Sequence, residues 1–200
     1  IADPRQCEYI RGASGDLASS ATAMRTAWDP QEDDYLTTLT KAGKVEGTFE
    51  SVNDALGEIV NRMAHTIENI RVDKLLTPLG KDQNAPQLDK VESRFSHRSI
   101  QDIRDNLQGI ELAYFGKTAE HGLTALLPDE YDARFQAHLV EIEDILSGLE
   151  KQGSLSDAFG IEPEIIEYLI DALRNLQRLI QTEILTTLAL TPTFNDADGD

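Results

Sequence analysis

At 200 residues, 40% of them hydrophobic and 27% charged, the chain has the length and composition of a folded domain with a real core rather than of a disordered segment. Its 36 acidic residues against 18 basic ones leave a formal net charge of -18, which argues against nucleic acid or an anionic membrane as partner and favours cations and basic surfaces. No apolar run is long enough to cross a bilayer, and the single Cys7 excludes an intramolecular disulfide.

Apolar residues recur at helical spacing through most of the sequence, with no competing run of alternating β-branched residues, so the expected class is all-α. Asp3-Pro4 opens the first helix, with Asp as cap and Pro in the first turn. Cys7, Ile10, Leu17, Ala21 and Met24 form its narrow stripe, which predicts a buried Cys7 thiol, and Trp28-Asp29-Pro30 ends it. A short helix is expected from Glu32 to Ala42, before Gly43.

The second long helix spans Phe49 to Leu76, with Val52, Leu56, Ile59, Val60, Met63, Ile67 and Ile70 on one face, and Thr77-Pro78-Leu79-Gly80 stops it. From Lys81 to Phe95 the chain is polar and carries Pro86, the pattern of an extended loop. A third helix begins near Ser96 and uses Ile100, Ile103, Leu107, Ile110 and Tyr114 before Gly116. Leu127-Pro128-Asp129 opens the fourth, whose stripe runs from Tyr131 through Phe135, Leu139, Ile142 and Leu146 to Leu149, with Gly153 as its end. Glu162-Pro163 starts the last, and widest, apolar face, which runs to Thr191-Pro192.

Helices apolar on one side only must bury those sides together. The expected architecture is an antiparallel, up-down four-helix bundle with short extra helices over residues 1–192, followed by an acidic tail at 193–200.

Few constellations carry chemistry. HExxH, a glycine-rich phosphate loop and a Gly-x-Ser-x-Gly elbow are all absent, which argues against a self-sufficient hydrolase. His65 and Glu68 share a helix face and are the weak metal candidates; an exposed polar pair is the simpler expectation for them. The tail from Asn195 to Asp200 departs from a calcium loop, because Gly199 comes early and no glutamate follows.

The richest polar stretch runs from Glu92 to Asn106. Ser96 or Ser99 is expected to cap the third helix, Ser99 with Asp102 in a capping-box-like pair. The remaining side chains make a candidate ligand or partner cleft of Glu92, Ser93, Ser96, His97, Arg98, Asp102 and Asn106, at a helix start where bases and free N–H groups can hold an anion or a carboxylate.

Thr77-Pro78-Leu79-Gly80, Glu92-Ser93, Phe95-Ser96-His97-Arg98-Ser99, the run from Asp102 to Ile110 and the ending from Phe194 to Asp200 together resemble the C-terminal half of imelysin-like proteins. Arg5-Gln6-Cys7-Glu8-Tyr9-Ile10-Arg11 resembles the start of that half. The resemblance implies a fold of two helical bundles, of which this chain supplies the second. It also implies a periplasmic or surface location, lipoprotein relatives, and a non-enzymatic part in bacterial iron uptake beside an N-terminal half and other iron-uptake proteins. The alternative it carries is a metallopeptidase whose ligands lie mainly in that other half. Iron or another divalent metal is the implied cofactor, not held by this half alone. The family signature Gly-x-His-x-x-Glu belongs to the first half; here Met63 stands where the glycine before His65 and Glu68 would be.

Overall fold

The computed structural model describes residues 3–44, 47–83, 85–117 and 121–193, and every regular element among them is helical. The all-α expectation holds. Among the described residues, no helix is long and apolar enough to cross a membrane. The acidic run at 194–200 lies outside the described residues. Two compact units divide the chain, Ile1–Ala55 and Leu56–Asp200.

In the first unit, α1 (Pro4–Trp28) begins where expected, the Asp3 carboxylate accepting the Arg5 N–H at 3.0 Å. None of its residues is buried: Ile10, Leu17 and Met24 are 62%, 72% and 70% exposed, and Cys7 is exposed as well. The expected buried thiol is therefore corrected. A stripe is buried only against a partner, and within this unit α1 meets the short α2 (Tyr35–Thr40) through an edge-to-face contact of Trp28 with Tyr35, centroids 5.0 Å apart. Left-handed Asp34, at φ 48°, sets the start of α2 by accepting from the Thr37 N–H, so the helix is shorter than its expected span.

The second unit holds the core. α3 (Val52–Asn69) buries Val60, Met63 and Ile67, while Val52 is 66% exposed, so the apolar stripe is buried only beyond its first turn. Past Asn69 the helix widens into π turns over Ile70–Leu76 and closes with α4 (Thr77–Leu79). Gly80 stops it as expected: φ is +62° there, and a Cβ would meet the Ala85 carbonyl oxygen at 2.2 Å. The following loop is not merely polar cover, because it sends Val91 into the core.

α5 (Ser99–Phe115) and α6 (Glu130–Gln152) carry the expected stripes, and the rings of Tyr114 and Phe135 stack with centroids 3.8 Å apart. Both side chains are fully buried. The Tyr114 hydroxyl donates to Asp132 at 3.0 Å; burial first, and that carboxylate second, push its phenol well above the ordinary range.

Between Gly153 and Glu162, where no helix was expected, α7 (Leu155–Ile161) buries Leu155, Ala158 and Phe159. A reciprocal capping box starts it, Ser154 accepting from the Asp157 N–H and Asp157 from that of Ser154. α8 (Pro163–Arg178) follows, packed along α6, and like α3 it loosens into π turns, over Leu179–Ile184, before α9 (Leu185–Thr187). Thr182 and Thr186 donate back to the carbonyls of Arg178 and Thr182 at 2.7 Å, hydroxyl bonds of the kind that bend helices. The last described residues are tied down by buried Asn61, which donates to the Thr191 carbonyl at 3.0 Å and accepts the Thr193 N–H at 2.9 Å.

One ionic clamp joins α5 to α6. Arg104, its side chain 19% exposed, donates to Glu143 at 2.9 Å and to Glu150 at 2.9 Å. The guanidinium, more than the Ser147 hydroxyl, holds the Glu143 carboxyl below the usual carboxylate range despite its partial burial. A carboxyl lowered in the folded state stabilises above its unfolded pKa, about 4.3, and loses that contribution as pH falls through the folded value. In thermal melts from neutral pH down to about pH 3, the acid-side fall in Tm is therefore expected to be shallower for Glu143→Gln than for the parent chain.

Candidate functional site at the start of α5

The segment before α5 is held by its own polar groups. Ser99, buried at the first helical position, donates its hydroxyl to the Glu92 carbonyl and closes residues 92–99 into a loop. Ser96 donates to the Ser93 carbonyl through its hydroxyl at 3.2 Å and its N–H at 3.1 Å. Neither serine caps α5. Arg98 occupies the cap position and its carbonyl accepts the Asp102 N–H at 2.8 Å, so the expected Ser99–Asp102 capping pair is corrected: the hydroxyl is taken by Glu92.

Two residues of the loop, Ser93 at φ 55° and His97 at φ 53°, sit in the left-handed region that residues with a Cβ avoid, at a cost of about 1–2 kcal/mol each. Between them Phe95 is 84% exposed, with the Arg94 guanidinium 4.5 Å from its ring centre. Ser96, His97 and Arg98 are exposed too. Arg98 reaches Asp102 at 3.4 Å and Asp105 at 3.2 Å, leaving the start of the helix lined by a base and two carboxylates.

Of the residues singled out from sequence, the structure gathers Ser93, Ser96, His97, Arg98 and Asp102 on this loop and the first turn it feeds. Asn106 lies half-buried one turn beyond Asp102. The Glu92 side chain turns away to Lys74, 2.6 Å off on the first π turns, a residue the sequence did not mark. His97 also touches the electrostatics of α7: the Asp157 carboxyl is lowered chiefly by Ser154, with His97 contributing when protonated.

His65 and Glu68 do not make an exposed pair. His65 is half-buried, with Nε2 3.1 Å from the Thr193 carbonyl, whereas Glu68 is buried beside Arg71, whose guanidinium lies 3.9 Å from it and donates to the buried Gln177 at 3.1 Å. This corrects the expected solvated face. Sequence periodicity could not show it, because Arg71 reaches Gln177 only where the π turns of 70–76 pack against α8.

The family model described as Imelysin, Peptidase_M75, matches residues 2–180. The chain belongs to the imelysin family. Iron-regulated protein A of Synechococcus elongatus is 26% identical over 107 residues, which are 52% of this chain and 29% of that protein, so the alignment spans under a third of the relative's length. No solved structure matches the chain.

For an imelysin the question is whether these residues fit a metal. Among the described residues, no group of three or more His, Cys, Asp or Glu side chains is placed to hold one. At the α5 start, Glu92 and Asp102 are engaged by Lys74 and Arg98, and His97 is the single imidazole; the donors present do not fit a metal site of their own.

Proposed function

We propose that this imelysin-family chain is a non-enzymatic component of bacterial iron acquisition outside the cytoplasm, and that the loop and first turns from Ser93 to Asn106 form its contribution to a cleft shared with a preceding N-terminal half. On this reading α3, α5, α6 and α8 make an antiparallel four-helix bundle, the second of two, and the exposed face of α1 is covered by the first. Iron-regulated protein A, as its name is printed, supports the link to iron.

The observation that carries the reading is the pair of left-handed residues, Ser93 and His97, that hold Phe95, Ser96, His97 and Arg98 at the surface. Backbone strain of this kind persists where the surroundings over-determine it, and it clusters at binding sites. Lys74 then anchors the loop through Glu92, while Arg98, Asp102 and Asn106 supply charge and hydrogen bonds to whatever enters.

Isothermal titration of ferric, ferrous and zinc ions tests it. The 200-residue chain alone is expected to bind none of them tightly, and binding is expected on the full polypeptide or on mixing with the N-terminal half. Alanine at both His97 and Arg98, with the fold intact by circular dichroism, is expected to weaken that binding by about tenfold or more. Undiminished binding would remove the cleft, and chelator-sensitive cleavage of a test polypeptide by the assembled protein would put a metallopeptidase in its place.

A further inference from the structure

A second surface of the Leu56–Asp200 unit, lined by α6 and α8 and by no residue of 93–106, has no part in the reading above. The groove between α6 and α8 has a volume of about 820 Å³, and Ala137, Ile145, Ile165 and Ala172 are among the residues that line it. Val140 and Tyr168 stand at its edge, 50% and 66% exposed. On the other flank of α6 a smaller groove of about 460 Å³, against α5, shares Val140 and Asp144, so the outer ridge of α6 is open on both sides.

The charged residues that line the larger groove are acidic. Glu141, Asp144 and Asp171 rim it, and among the described residues no Lys, Arg or His lines it. Arg174 pairs with Asp171 from outside the groove, and His138 lies 3.7 Å from Glu141; among the described residues Asp144 pairs with no cation. An apolar trough between two helices, walled by small residues and rimmed by carboxylates, is complementary to a helix that carries apolar side chains on one face and Lys or Arg along its edges. From Ala137 to Gly148 the trough follows α6 for about 16 Å, room for about three helical turns.

We propose that the α6–α8 groove docks a basic amphipathic helix of a partner protein, with Val140 and Tyr168 gripping its apolar face and Asp144 pairing with a cation on its edge. The proposal does not depend on iron or on the cleft at the α5 start.

The test uses the chain itself, followed by amide NMR. The probe is a peptide of about 18 residues with leucine on one helical face and lysine on the other, compared with a peptide of the same composition in scrambled order and with a leucine–glutamate counterpart. The amphipathic lysine peptide is expected to shift amide signals from Ala137 to Gly148 and from Ile165 to Asn175, and to bind about tenfold more tightly than the scrambled one. Asp144→Lys is expected to weaken binding by about tenfold, and Asp16→Lys, the same change of charge on α1, by less than about twofold. Equal binding of the scrambled peptide, shifts confined to other elements, or equal losses from the two lysine variants would each overturn the proposal, since a protein of charge -18 attracts any polycation without a groove.

Discussion

Phe135→Ala is expected to lower the unfolding free energy by about 3–5 kcal/mol, the range for deleting a buried aromatic ring. Phe135 is fully buried, its ring stacked on Tyr114 with centroids 3.8 Å apart and met edge-on by Phe115 at 5.9 Å. The cavity would open where α5 meets α6, and it would also loosen Tyr114, whose hydroxyl is fixed to Asp132. Relaxation into the space is hindered because Ile110 and Tyr131, the core positions one turn away on the two helices, are themselves held by core packing. Urea unfolding monitored by circular dichroism checks this. A loss under about 1 kcal/mol would mean that the aromatic cluster is not a structural centre of the unit.

The second large effect concerns a charge. Arg71→Met removes the guanidinium that lies 3.9 Å from the buried Glu68 carboxylate and donates to Gln177 at 3.1 Å. Glu68 and Gln177 are 4% and 5% exposed, so the carboxylate cannot recover the lost interaction from bulk water. The expected cost is about 3 kcal/mol, in the range for breaking a buried pair by removing one partner. Replacing both members is milder than replacing one, so the double variant Glu68→Gln with Arg71→Met is expected to regain at least about 1 kcal/mol of that loss. Urea midpoints of the two single variants and the double form a cycle that reads the coupling directly. Strict additivity would show that Arg71 does not compensate Glu68.

Much of the second unit was legible because its helices bury the stripes their spacing marks. Phe135, Ile142, Leu146 and Leu149 repeat at three, four and seven residues and all are fully buried, and Gly80 and Gly153 end helices where the sequence placed ends. α1 shows the limit of that logic. Its residues repeat just as regularly, yet they are exposed, because periodicity says which face is apolar and not whether anything covers it.

The π turns were hidden for a related reason. Ile70 and Leu75 suit a helix of either pitch, so apolar spacing does not announce the widening over Ile70–Leu76 and Leu179–Ile184. By contrast α7 left a signal that was available, the Ser154–Asp157 box directly after Gly153.

At the α5 start, residue type pointed to the right stretch but not to its wiring. Ser99 and Asp102 have the spacing of a capping box, and only the fold reveals that the Glu92 carbonyl takes the Ser99 hydroxyl and that Arg98 takes Asp102. Left-handed Ser93 and His97 carry no glycine or asparagine to announce them.

Hydrogen–deuterium exchange on the full polypeptide, with and without ferric ion, tests most directly whether the strained loop is a binding surface. A working cleft at residues 93–106 requires slower exchange of that stretch when iron is present, while α8 exchanges as before. Protection that falls elsewhere, with 93–106 exchanging at the same rate under both conditions, would contradict it.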